Sequence, residues 1–359
     1  MGQVGILTFH RASNYGAVLQ AYALQTALQS RGVKCEIVDY FCPAIESAHD
    51  PKMLLKTRGF VKGVWHFPVK LKKYQIFEKF RERRLILSQR VNRKQVDRIS
   101  GEYDFFIVGS DQVWSNEFAG LDLTYLLDFV DDAKKYSYAC SLGFDDFPDG
   151  TKEIYQKWLQ SFKYLSVRER SAKSLIEKSL KLSARRDVDP TFLLYSNDWR
   201  RLLKKPNRKE AYILVYTVQP PENLLAYARK ISRETGNEII YLNNEHRSNR
   251  DIKHVRYATP EEFLGWIDHA EYVLTNSYHG TVFSIIFNKK FCVECITKKR
   301  YNSRSKDLLL EYGLEKCELV DMDTQVVEIN WNAVEEKKNA MVNYSINYLL
   351  SLVGKQGGK

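Results

Sequence analysis

The sequence predicts an α/β protein built from two doubly wound domains that face one another across a cleft. Three observations carry this reading. The chain has 359 residues, 44% of them hydrophobic, and single cores stop growing near ~250–300 residues, so two cores are expected. Short apolar runs alternate with stretches of helical periodicity from end to end, the pattern of parallel strands joined through helices. One polar, charged stretch, Asn197–Glu210 with Pro206 inside it, interrupts that alternation and reads as a linker.

In chain order, Val4–Phe9 reads as a strand, His10–Gly16 as a polar loop and Ala17–Ser30 as a helix stopped by Gly32. Val33–Tyr40 is the next strand. The same grammar returns with strands at Asp104–Val108, Tyr136–Cys140 and Tyr164–Arg168, and with a helix from about Arg170. The first domain thus covers 1–196. After the linker, strands are expected at Tyr212–Tyr216, Glu238–Leu242, Tyr272–Thr275 and Lys290–Cys295. Helices are expected at Pro221–Thr235, at Pro260–Ala270 and from Thr281, with Ser277–Gly280 as a loop. The second domain covers 210–330. A last helix, Asn332–Val353 within 331–359, is placed to cross back onto the first domain.

Charge is unevenly spread. The net charge is +11, and residues 51–98 hold fifteen Lys/Arg against Glu78, Glu82 and Asp97. This predicts a basic helical insertion at about 50–100, interleaved with Phe60, Trp65, Phe67, Tyr74, Phe77 and Phe80. Such a segment suits an anionic lipid surface or an acidic saccharide or diphosphate carrier. Equally, it suits a solvated helix face with its apolar side on the core. Nucleic acid is not expected among the partners. The sequence holds no run of eighteen apolar residues and no leader-like start, so a cytoplasmic protein is expected, touching at most the inner face of the membrane. Six scattered cysteines read as reduced thiols. Cys292-x-x-Cys295 lacks a second ligand pair nearby, and no metal is expected.

Four segments place chemistry at the carboxyl ends of predicted strands, where this fold class binds ligands. Asn14, Tyr15 and Gly16 open a helix whose dipole favours an anion. Without G-x-G-x-x-G spacing, they are no dinucleotide fingerprint. Ser110, Asp111 and Trp114 follow the strand FFIV and supply a hydroxyl, a carboxylate and an indole, or else merely cap and pack. Arg168 offers a planar fork to a carboxylate or phosphate, or pairs with Glu169 or Asp189. Ser277, Tyr278, His279 and Gly280 form a strand-to-helix turn with a histidine fit to exchange protons near neutral pH. His10, beside the first loop, is a secondary candidate.

Read in order, GILTFHRASNYGAVLQAYALQ, VGSDQVW, SVRE, VDPTFLL, TNSYHGTVFSIIF and NSRSKDLL resemble the blocks of the polysaccharide pyruvyl transferase family. The resemblance implies two Rossmann-like domains in a GT-B-like arrangement. It implies phosphoenolpyruvate as donor and, as acceptor, a sugar of a capsular, exopolysaccharide or cell-wall glycan, which the basic segment allows to be lipid-linked. It implies a pyruvate ketal as product, with no cofactor and no metal. His279 corresponds to the family's catalytic histidine and Arg168 is similar to its arginine; a mechanism consistent with both gives Asp111 the part of orienting or deprotonating the acceptor. Some members carry Arg where this chain has Tyr278, which turns attention to Arg304 as a donor contact. The rival readings are a nucleotide-sugar glycosyltransferase of the same fold and a non-catalytic protein that binds polyanions through the basic segment.

Overall fold

The structure is a computed structural model that describes residues 3–53, 60–242, 251–295 and 303–354, with the backbone alone for 60–66 and 303. The chain divides into two compact units, one formed by 1–193 with 339–359 and the other by 194–338. The helix Trp331–Gly354 therefore starts in the second unit and ends in the first.

In the first unit, β1 (Gln3–Leu7), β2 (Lys34–Ile37), β3 (Phe105–Val108) and β4 (Lys135–Ser137) form a parallel sheet in the order β2-β1-β3-β4. Parallel bridges Tyr136↔Tyr164 and Cys140↔Val167 continue the sheet into β5 (Leu165–Val167), which pairs with β6 (Ala184–Arg186). The run Phe105–Val108 is buried throughout because a parallel sheet covered on both faces needs apolar side chains on both. Register keeps all the carboxyl ends on one edge. That edge carries the loops after β1, β3, β4 and β5.

The second unit holds the parallel sheet β11-β10-β7-β8-β9, from β7 (Tyr212–Tyr216), β8 (Glu238–Leu242), β9 (Lys253–Val255), β10 (Tyr272–Thr275) and β11 (Lys290–Val293). Strand β7 is buried over all five residues. Its core gathers Ile213, Val215, Leu224, Tyr227, Ile239 and Leu274.

Three sequence expectations are corrected. Ser196–Leu202, which overlaps the expected linker Asn197–Glu210, is a helix, because Trp199 is fully buried and its ring meets Phe283 edge-on at 5.0 Å. The helix expected from Thr281 starts at Tyr278, so His279 lies in its first turn rather than in a loop. Strands β6 and β9 have no counterpart among the expected strands; each is three residues long and carries charge, without the apolar run that marks a strand.

The basic segment contains the helix Phe60–Arg84. It has two faces. Phe77 and Phe80 are buried, against Tyr15 (ring centroids 5.1 Å apart) and Tyr22 (6.2 Å) of the helix Tyr15–Gln29. Lys72, Lys79, Glu82, Arg83 and Arg84 are exposed. The side chains of Phe60 and Trp65 lie outside those described.

Candidate functional site

The expected site residues fall into two groups, Asn14, Tyr15, Gly16, Ser110, Asp111, Trp114 and Arg168 in the first unit and Ser277, Tyr278, His279, Gly280 and Arg304 in the second.

Hydrogen bonds tie the loops of the first group into one edge. Gln20, fully buried in the helix Tyr15–Gln29, donates to Thr8 Oγ1 (2.8 Å) and accepts from the Ser110 amide (3.2 Å). Ser110 Oγ donates to the Ala139 carbonyl at 2.7 Å. The Ser141 amide donates to the Asp111 carbonyl, and the Arg168 amide to that of Cys140, both at 3.0 Å. Gly109 is indispensable to this packing. Its φ is +123°, and a Cβ there would stand 2.1 Å from the Tyr138 carbonyl oxygen.

Within this edge the residues hold different posts. Asn14 caps its helix, Oδ1 accepting from the Ala17 amide at 3.3 Å, while Tyr15 is buried against Phe77 and Gly16 is buried beside it. The Trp114 indole is buried, donates to the Tyr125 carbonyl at 3.0 Å and packs on Phe162, so it braces the loop. The Ser110 hydroxyl is likewise committed to backbone. Asp111 differs. It is half-buried in the left-handed region (φ 62°), a conformation that costs most residues energy and that Asp tolerates, and its carboxylate has no hydrogen bond or ion pair among the described residues.

Arg168 is built in as a structural cation. Its Nε donates to Glu169 at 2.8 Å and its Nη1 to Asp189 at 2.7 Å, all three residues being buried. Asp189 also accepts from the Thr191 amide and hydroxyl. Two carboxylates thus compensate one guanidinium through its Nε and Nη1. Sequence reasoning did not single out Ser141. Its hydroxyl is fully buried on this edge and finds no partner among the described residues, as does that of Ser13 in the first loop. A serine directly after the strand expected at Tyr136–Cys140 was the only signal for Ser141.

A second cluster lies beside the first loop. Buried Arg11 pairs with Asp39 and with Glu78, whose other partner is buried Arg81. His10 Nε2 faces Asp39 and Nδ1 faces the Thr8 carbonyl, both at 3.1 Å. Burial is the largest influence on His10 and pulls its pKa below the usual histidine value against the opposing pull of Asp39. Asp39 is held well below the carboxylate range, where hydrogen bonds from His10 and Arg11 outweigh its burial. Through Glu78 the cluster clamps the helix Phe60–Arg84 to the loop after β1.

In the second unit the turn after β10 is assembled from small hydroxyl residues. Thr275 Oγ1 donates to the Tyr216 carbonyl (2.7 Å) and accepts from the Ser277 amide (3.0 Å), and Ser277 Oγ caps the helix Tyr278–Ile286 by accepting from the Gly280 amide (3.3 Å). Asn276 ties this turn to the loop after β7, accepting from the Val218 amide at 2.9 Å and donating to the Gln219 carbonyl at 3.0 Å. Gly280 is required because a Cβ would stand 2.4 Å from Thr275 Oγ1. His279, 8% exposed, is thereby held in the first helical turn with its ring edge-on to Tyr278, centroids 5.2 Å apart. The partial positive charge of that terminus favours an anion beside it. Arg304 is half-buried in the first turn of the helix Ser303–Tyr312, which packs on the helix of His279.

The helix start after β7 is closed. Buried Glu294, following β11, accepts from the amides of Glu222 (3.1 Å), Asn223 and Leu224 (3.0 Å) and so fills the amino end of the helix Leu224–Thr235 with the chain's own carboxylate. An anion entering the second unit is therefore repelled at Leu224 and favoured at Tyr278. Cys292 and Cys295 are buried, with burial pushing their thiols up to about 11 and about 12, so both are protonated at neutral pH. Among the described residues no group of three or more His, Cys, Asp or Glu is arranged to hold a metal.

Three solved structures show the fold. A putative UDP-N-acetylglucosamine 2-epimerase from Listeria monocytogenes matches with a TM-score of 0.52 at 11% identity, covering 99% of this chain and 96% of that one. Anabaena HepE, in complex with UDP and glucose, matches with 0.52 at 8% identity and covers 99% and 100%. The UDP-GlcNAc 2-epimerase of Methanocaldococcus jannaschii matches with 0.50 at 13% identity and covers 98% and 99%. The fold is accordingly the GT-B type, two Rossmann-like α/β domains. No curated protein matches the chain in sequence. The family model of polysaccharide pyruvyl transferases matches residues 14–293, which take in the Asn14 cap, the Asp111 loop, Arg168 and the His279 turn, and the chain belongs to that family.

Proposed function

We propose that the protein transfers the enolpyruvyl group of phosphoenolpyruvate to a sugar of a capsular, exopolysaccharide or cell-wall glycan and closes it into a pyruvate ketal. The observation that carries this reading is the His279 turn, a proton-transferring side chain in the first turn of a helix whose neutral serine cap and dipole receive an anion. Phosphoenolpyruvate is an anion that needs a proton. Its methylene carbon takes one from His279, which leaves C2 electron-poor and open to attack by a sugar hydroxyl. Phosphate leaves with the C2–O bond, a second hydroxyl of the same sugar attacks C2, and two new C–O bonds complete the ketal. Asp111, whose carboxylate has no partner among the described residues, accepts the proton of the first hydroxyl and returns it to His279, and the departing phosphate takes the proton of the second. The amino end of the helix Tyr15–Gln29 and Arg304 stand by for the donor's carboxylate and phosphate. Arg168 holds the loop after β5 in place through Glu169 and Asp189. The reaction needs no cofactor, and we place it in the cytoplasm. A lipid-linked acceptor at the inner membrane face fits the exposed Lys79 and Arg83 of the helix Phe60–Arg84.

The test is phosphate release from phosphoenolpyruvate with lipid-linked or nitrophenyl galactosides, glucosides and N-acetylmannosaminides. Acceptor-dependent release and a product heavier by one pyruvate ketal are expected. His279→Ala and Asp111→Asn should each lower the rate by roughly 10²–10⁴-fold. Tight binding of a nucleotide diphosphate with indifference to phosphoenolpyruvate would instead make the protein a nucleotide-sugar enzyme.

A further inference from the structure

The helix Tyr15–Gln29 buries two glutamines, Gln20 and Gln25, which are 0% and 2% exposed. A buried amide must find partners for two N–H groups and an oxygen, so it is costly wherever an apolar side chain would serve. Gln25 bonds to the backbone beyond the helix Phe60–Arg84, donating to the Ile86 carbonyl at 2.8 Å and accepting from the Ile86 amide at 2.9 Å. Gln20 bonds instead to the loop after β3. Its Nε2 donates to the Ala17 carbonyl (2.9 Å) and to Thr8 Oγ1 (2.8 Å), and its Oε1 accepts from the Ser110 amide (3.2 Å). The Thr8 hydroxyl in turn gives its own proton to the Ser110 carbonyl (3.3 Å).

Gln20 and Thr8 thereby close a ring on one residue. They hold the N–H and the C=O of Ser110, while its hydroxyl donates to the Ala139 carbonyl. Asp111 is the next residue. On its far side its carbonyl accepts from the Ser141 amide at 3.0 Å. The left-handed φ of 62° at Asp111 persists only where the surroundings over-determine it, and the ring supplies that constraint from β1 and the first helix.

We infer that Gln20 is a positioning residue, which through Ser110 holds the turn that carries Asp111. A neutral amide, donor and acceptor at once, can close this ring. Glutamate would set a carboxylate oxygen against the Ala17 carbonyl, and an apolar side chain would release Ser110. The kinetic consequence rests on the proton-accepting role proposed above for Asp111, whereas the clamp itself does not.

The test compares Gln20→Met, Thr8→Val and the two together with Gln25→Met, the buried glutamine of the same helix that bonds elsewhere. Hydrogen exchange followed by mass spectrometry should quicken over residues 109–111 by about tenfold or more in Gln20→Met and Thr8→Val, and stay native in Gln25→Met. Thermal midpoints should fall in both glutamine variants. For phosphate release from phosphoenolpyruvate with a nitrophenyl acceptor, Gln20→Met should lower kcat by roughly 10–100-fold at unchanged KM for the donor, while Gln25→Met should keep the native kcat. The double variant should lose no more kcat than the stronger single one, because both changes open the same ring. Equal kcat losses in the two glutamine variants, or additive losses in the double variant, would make Gln20 a structural residue only. A raised KM for the donor at unchanged kcat would assign it to the helix start at Asn14 instead, and native exchange over 109–111 in Gln20→Met would remove the clamp. A native protein that releases no phosphate refutes the reaction proposed above, and the exchange rates then decide the clamp alone.

Discussion

Among single residues, the candidates differ in how their polar groups are paired. Asp111 and His279 are the candidates whose reacting groups suit their assigned roles, one a carboxylate without a partner among the described residues, the other an imidazole in an anion-favouring turn. Ser110, Trp114 and Arg168 stand at the expected strand ends, yet each spends its polar group on the protein. No linear pattern separates these cases, since whether an arginine meets a ligand or two carboxylates depends on Asp189, which lies 21 residues away in sequence. This leads to a prediction that divides the two roles. Arg168→Ala leaves Glu169 and Asp189 buried without their cation, and breaking such a pair costs about 3–5 kcal/mol. The variant should therefore show a lowered urea midpoint, with KM for the donor unchanged in the fraction that folds. A raised KM at unchanged stability would make Arg168 a donor contact after all.

Among the elements, the long apolar runs were the most legible. Phe105–Val108 and Tyr212–Tyr216 announce buried parallel strands because both faces of such strands need apolar residues. Short charged edge strands announce nothing, and a helix such as Ser196–Leu202 is hidden while only Trp199 and Leu202 anchor it. The helix Pro43–His49 carries a pH prediction. Burial lowers the His49 pKa to about 4, helped by the positive charges of Lys73, Arg81 and Lys70. The folded protein therefore takes up this proton near pH 4 whereas the unfolded chain takes it up near 6.5, so the unfolded state binds more protons between those values. Stability contributed by neutral His49 is complete above about 6.5 and lost as pH falls towards 4, by at most about 3 kcal/mol. His10 acts in the same direction. Urea midpoints measured from pH 7 to 4 should fall less steeply in His49→Gln than in the native sequence. Parallel slopes would mean that His49 is solvated and that the basic helix is not its neighbour.

For the whole molecule, the C-terminal helix decides how the two units depend on each other. The second unit is continuous in sequence, 194–338, while the first is completed only by 339–359. That return is substantial in contact chemistry. Val342, Tyr348, Leu349 and Leu352 are buried, Tyr348 donates to the Ser137 carbonyl, and Ser345 accepts from the Val188 amide at 3.1 Å. Fully burying one such side chain contributes about 1.5–3 kcal/mol, so removing four of them together takes away a large share of the ~5–15 kcal/mol that holds an ordinary domain folded. A chain ending at Lys338 should consequently unfold in two steps, the second unit near its native midpoint and the first at markedly lower urea. Residues 194–338 expressed alone should keep a cooperative transition, because every strand of their sheet and the buried Trp199 anchor are present. Far-ultraviolet circular dichroism during urea titration of the three chains reads both effects. A single unshifted transition in the truncated chain would show that the first unit stands without its returning helix, and loss of structure in 194–338 alone would show that the second unit borrows stability from the first.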